Sequence, residues 1–146
     1  MTPVLIFVFF FPVFEYSRYF YNQQVVEVGI RDAVRYLARG PYFSAVVSEG
    51  TNPCVDSTNT QNAQNLAVTG TVDGSGTVRV AGWAPGNVKF KCDNIPNPGT
   101  YAGPNPIWLV TVYTKFADPA LGFFGLLGVG IPNLSASHTE RSFGSG

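Results

Sequence analysis

Chemistry needs groups that attack, protonate or ligate, and this chain carries few of them. Its one histidine, His138, directly follows Ser137 in Ser135-Ala136-Ser137-His138-Thr139. That stretch reads as a strand, where adjacent residues point to opposite faces, so the two do not make a nucleophile and its base. Gly74-Ser75-Gly76 is too short to cradle a phosphate, no GxxxxGK occurs, and a turn accounts for it. The acidic residues show no paired arrangement. Two cysteines, Cys54 and Cys92, with no CxxC and one histidine, do not make a zinc set. The preferred reading is an extracytoplasmic disulfide between them, with buried thiols as the alternative. The expectation is no catalytic, cofactor or metal site.

The remaining polar residue of note is Glu15, which follows a long apolar run. Its bland reading marks the point where a helix leaves an apolar layer. The sharper one pairs it with Arg18, one turn on, in its own or an adjacent copy, and so sets the register between helices. Across all 146 residues, charged side chains make up 12% and the net charge is zero, which leaves no basic stripe for a nucleic-acid partner.

The element that must carry Glu15 runs from Met1 to about Arg39. Val4-Leu5-Ile6-Phe7-Val8-Phe9-Phe10-Phe11 opens it, Val13 and Phe14 extend it, and it turns amphipathic without a break. Val26, Ile30, Ala33, Val34 and Leu37 have the spacing of one buried helix face. Arg31, Arg35 and Arg39 fall down another side, as a solvated face near a helix C-terminus. Pro3 suits a first turn, Pro12 removes one internal hydrogen bond, and Gly40-Pro41 stops the helix. Gly29 costs up to about 1 kcal/mol relative to Ala unless it permits close packing. At 1.5 Å per residue the helix is roughly 60 Å long. A small domain cannot cover that length, so the exposed part enters a membrane, a bundle of other copies, or each in turn. The start lacks the basic region and cleavage site of a signal peptide. Its uninterrupted apolar run falls short of the about 20 residues that span a bilayer, and reaches that length only with the tyrosines near Phe20 in the interface.

After Gly40 the composition turns rich in Gly and Pro, as in a short-stranded β domain. Residues 41–65 read as a loop, with one helical turn at Ala63–Ala67. Leu66–Val72 and Thr77–Trp83 read as a hairpin about the turn Asp73-Gly74-Ser75-Gly76. Asn87–Cys92 alternates, with Val88, Phe90 and Cys92 inward. Asp93–Pro106 reads as an irregular loop, Ile107–Phe116 as the central strand and Leu134–Arg141 as the last strand. Between these two, Ala117–Asn133 is apolar and glycine-spaced. It is either a loop packed on its own sheet or a patch for a neighbouring subunit.

The opening MTPVLIFVFFFPVFEYSR, then YFYNQQ and RDAVRYLARG, resembles the N-terminal region of TadE-like proteins. These are pilin-like components of the tight-adherence pilus system, in the type IV pilus superfamily. The family's apolar run with a proline, leading to Glu, an aromatic, a small residue and Arg, is matched by Glu15-Tyr16-Ser17-Arg18. Its Ala-Arg-Tyr-like helix end is matched by Val34-Arg35-Tyr36. Val110–Phe116, the Leu/Gly-rich Leu121–Ile131 and the closing LSASxxxR of Leu134–Arg141 are similar to the family's ending, while residues 41–106 match loosely. One departure is that position 5 holds Leu5 and the family's usual cleavage site, Gly followed five residues later by Glu, has no counterpart.

The resemblance implies an α+β, pilin-like chain: residues 1–40 form the long helix and 41–146 an extracytoplasmic antiparallel β-sheet domain. It implies a non-enzymatic structural subunit of an extracellular pilus filament that supports surface adhesion. Its partners would be copies of itself, the inner membrane before assembly and the pilus assembly machinery. Phe7, Phe10, Phe11, Phe14, Glu15, Arg18 and Phe20 are the expected assembly residues, and Cys54 and Cys92 the expected disulfide. The alternatives are a minor pseudopilin that primes or tips such a filament, and a single-pass anchored periplasmic binding domain.

Overall fold

A computed structural model describes residues 2–40, 56–96, 107–119, 121–122, 125, 128, 130 and 132–142, with backbone alone at 2–9 and 94. Helix α1 spans Thr2–Arg39 with Pro12 inside it, as its pattern requires. Helix α2 spans Ser57–Thr69. A 3-10 turn at Pro85–Asn87 leads into strands β1 (Val88–Ile95), β2 (Ile107–Ala117) and β3 (Asn133–Arg141). The strands form one antiparallel sheet in the order β1-β2-β3, so the most apolar strand is central, as expected. The architecture is therefore α+β, a long N-terminal helix with a small antiparallel sheet.

The buried face of α1 is the one its periodicity marks. Val26, Ile30, Ala33, Val34 and Leu37 are fully buried, while Arg31, Arg35 and Arg39 are exposed. That stripe lies against the inward residues of the sheet, Val88, Phe90, Val110, Val112, Phe116 and Leu134, and against Ala63, Ala67 and Val68 of α2. Two layers thus close on one core. Trp83 fills its middle, stacked on Phe116 with ring centroids 5.8 Å apart and donating Nε1–H to Thr114 Oγ1 at 3.1 Å.

The expected hairpin of Leu66–Val72 with Thr77–Trp83 is not formed. Residues 57–69 are helical because Asp56 caps them, accepting from the Asn59 N–H at 2.9 Å, and Gly70 ends them at φ 80°. Ala63, Ala67 and Val68 then share the face turned to α1. The Asp73 turn does form, its carboxylate accepting from the Ser75 N–H at 3.1 Å. Residues 77–83 alternate in sequence but pair with no strand among the described residues. They are held instead by the Arg79 N–H bond to Val68 O at 2.9 Å and the Arg79–Asp32 ion pair at 3.2 Å. Strand β1 runs on to Ile95, three residues into the stretch expected to be loop, because Asp93, Asn94 and Ile95 pair with Leu109, Trp108 and Ile107. Cys92 is half-buried against the core and disulfide-bonded. Of the loop expected at 41–65, residues 57–65 belong instead to α2, while 41–55, with the chain's other cysteine, Cys54, lie outside the described residues.

Candidate functional site

Helix α1 runs alongside β3 and leaves the sheet at its end nearest Asn133. Three polar side chains on successive positions of one helix face fix that exit. Tyr19 donates its hydroxyl to Asn133 O at 3.5 Å, Asn22 donates Nδ2–H to a carboxylate oxygen of Asp118, and Gln23 donates Nε2–H to Ser135 O at 2.6 Å. Asp118 is fully buried, directly after β2. A buried carboxylate is tolerated only with hydrogen-bonding partners, and the Asn22 amide is one. Farther up, Arg35 Nε lies 3.3 Å from Glu140 Oε1, which ties the C-terminal part of α1 to the same strand.

Ahead of this exit the helix changes character. Phe10 and Phe14 are each 71% exposed and Tyr21 is 69% exposed; Phe11, Val13, Tyr16 and Phe20 are exposed as well. Positions 10, 14, 17 and 21 alternate steps of four and three, so Phe10, Phe14, Ser17 and Tyr21 form one stripe. On a helical wheel this stripe lies opposite Tyr19, Val26 and Ile30, the face held by the domain. Ser17 is the small residue in it, and its hydroxyl is satisfied within the helix by Val13 O at 2.8 Å. On the flank, Tyr16 and Phe20 meet edge-to-face with centroids 4.9 Å apart.

The expected assembly residues are distributed accordingly. Phe10 and Phe14 stand on the stripe, with Phe11 and Phe20 exposed on either side of it. Arg18 is exposed and Glu15 half-buried, toward the domain side of the helix. The side chain of Phe7 lies outside the described residues. Sequence reasoning missed the polar contacts of Tyr19, Asn22, Gln23 and Asp118. The first three continue the buried stripe upstream of Val26 with polar residues, and that spacing was the available signal.

His138 faces α1 and lies 3.5 Å from Glu140 Oε1, while Ser137 is exposed. Beside them, Glu27, Ile30, Arg31 and Ser135–His138 line an open polar groove of about 300 Å³. Among the described residues no cluster of His, Cys, Asp and Glu could hold a metal ion, and no helix is long and apolar enough to cross a membrane. Of the apolar segment 117–133, Leu121 is buried and Gly122, Gly125, Gly128 and Gly130 are exposed. Phe123, Phe124, Leu126 and Leu127 lie outside the described residues. No family model, curated protein or solved structure matches this chain.

Proposed function

We propose that this chain is the structural subunit of an extracellular pilus-like filament of the tight-adherence type, polymerising through α1 and supporting adhesion. The observation that carries the reading is the apolar stripe Phe10, Phe14, Ser17 and Tyr21, exposed on the side of α1 opposite its own domain. Its steps of four and three are those of a helix–helix seam, with a small residue where backbones can approach. Burying each large side chain is worth about 1.5–3 kcal/mol, so a few such contacts per subunit suffice for a polymer. Before assembly the inner membrane would shelter the apolar half of α1. The assembly machinery would then transfer it from one dry environment to another, exchanging lipid contacts for helix packing.

The test is sedimentation after detergent removal. The parent chain should pellet as regular thin filaments. The Phe10→Glu/Phe14→Glu variant should stay dispersed with an unchanged far-ultraviolet spectrum. A variant that pellets as the same filaments would refute the seam.

A further inference from the structure

The sheet turns a second face to solvent, away from α1, and its charge is unlike that of the whole chain. The chain has nine basic and nine acidic residues, and its only three lysines are Lys89, Lys91 and Lys115. All three are exposed on this face, with Arg141. A single carboxylate among the described residues shares it, Asp93, whose Oδ2 lies 3.0 Å from Lys91 Nζ. Four cations less one carboxylate leave three positive charges, on a chain whose net charge is zero.

Tyr113 stands at the centre, 43% exposed. The register sets Lys89 across from it on β1 and Ser137 on β3, with Lys115 two residues along its own strand. Cross-strand neighbours lie about 4.8 Å apart and alternate residues about 6.7 Å apart, so the ring is surrounded by cations and hydroxyls. Ser135, Ser137 and Thr139 line the outer strand, and the Thr111 and Thr139 hydroxyls meet at 2.8 Å.

We propose that this face binds a linear acidic polysaccharide. The face is the exposed side of a three-stranded sheet, and its alternate side chains offer an extended polymer a row of contacts along each strand. The lysines supply charge to carboxylates or sulfates, the hydroxyls hydrogen-bond sugar hydroxyls, and the Tyr113 ring packs on the apolar side of a sugar ring. Nucleic-acid platforms stack successive bases on several aromatic side chains, and among the described residues this face offers one. The disulfide at Cys92 fits work in an oxidising compartment, where such polymers coat cells. The filament reading adds one consequence on which binding does not depend. In a polymer centred on α1 this face points outward and repeats, so weak sites combine into avidity.

The experiment measures binding of the full chain, held in non-ionic detergent, to a polyuronate, with neutral dextran and single-stranded DNA as the other arms. The polyuronate should bind and dextran should not. Taking single strands as the guide, three charges give a roughly twentyfold loss of affinity between about 50 and 200 mM salt. Lys89→Gln/Lys91→Gln/Lys115→Gln should lose at least tenfold, the matching triple arginine variant should retain binding, and Tyr113→Ser should lose severalfold. Unchanged binding by the triple glutamine variant overturns the proposal, as does DNA binding equal to or tighter than polyuronate. The non-assembling Phe10→Glu/Phe14→Glu variant should still bind, so failure of the filament reading shows separately.

Discussion

Replacing Gly29 with alanine tests the packing that fixes α1 to its domain. A Cβ built there comes within 2.5 Å of the Ala67 carbonyl oxygen and 2.7 Å of the Trp83 ring. The first contact is to backbone, which cannot rotate away, and the second is to a ring locked in the core. Ordinary contact begins at 3.4 Å, so α1 and α2 must separate by nearly 1 Å. Two terms oppose each other. Alanine favours a helix interior over glycine by about 1 kcal/mol. Overpacking costs about 1–3 kcal/mol, and this site lies at the upper end because two rigid groups are struck. The wedge also loosens dispersion contacts of Val26, Ile30 and Ala63 across the same seam. The clash wins, for a net loss of about 2 kcal/mol and a fall in Tm of roughly 6–10 °C. Thermal unfolding followed by near-ultraviolet circular dichroism reads this directly. The neighbouring Val28→Ala is the control, since Val28 is exposed and its change stays within about 0.5 kcal/mol. A Gly29→Ala chain as stable as its parent would refute the close approach of α1 to α2.

Asn22→Ala removes an amide donor from the buried Asp118 carboxylate and should cost about 1–3 kcal/mol. Hydrogen exchange should show faster opening of the helix turn at Tyr19–Gln23 than at Val34–Ala38, and equal acceleration of the two would contradict a local anchor. Asp56 accepts from the Asn59 backbone N–H and side chain, and these bonds hold its carboxyl below the usual aspartate range. A depressed folded-state pKa means that the cap's contribution is complete above the unfolded value and is lost as pH falls through the folded one. Asp56→Ala should therefore lower Tm at neutral pH, with the gap closing below about pH 4; a gap independent of pH would remove the cap.

Legibility followed the reach of each signal. The buried stripe of α1 repeats within one segment, so Val26, Ile30 and Leu37 were readable without knowing what covers them. Ile107–Phe116 and Leu134–Arg141 were readable for the same reason. Of helix α2 only the turn at Ala63–Ala67 was read, because Val68, Thr69, Thr71 and Val72 are β-branched residues that suit a strand. What decides the segment lies elsewhere: the Asp56 cap ten residues upstream of Leu66, and the glycine on α1 that receives Ala67. Tertiary packing overrides propensity there. Thr77–Trp83 alternates as a strand does, but Arg79 is drawn to Asp32, 47 residues away, and Val80 and Trp83 go into the core. At the helix exit, Asn22 and Asp118 are 96 residues apart and Gln23 and Ser135 are 112 apart, and nothing local announces either pair. The exposed aromatic stripe was foreshadowed by composition. Its orientation, opposite the domain, needed the fold.

The central claim is that α1 is an assembly core, and electron microscopy of the chain after detergent removal tests it most directly. The account predicts regular helical filaments whose reconstruction shows α1 helices at the centre, with Phe10, Phe14 and Tyr21 seated against neighbouring copies and the lysine-bearing sheet face outermost. Dispersed single particles, or filaments in which the sheets pack together while that stripe stays exposed, would contradict it.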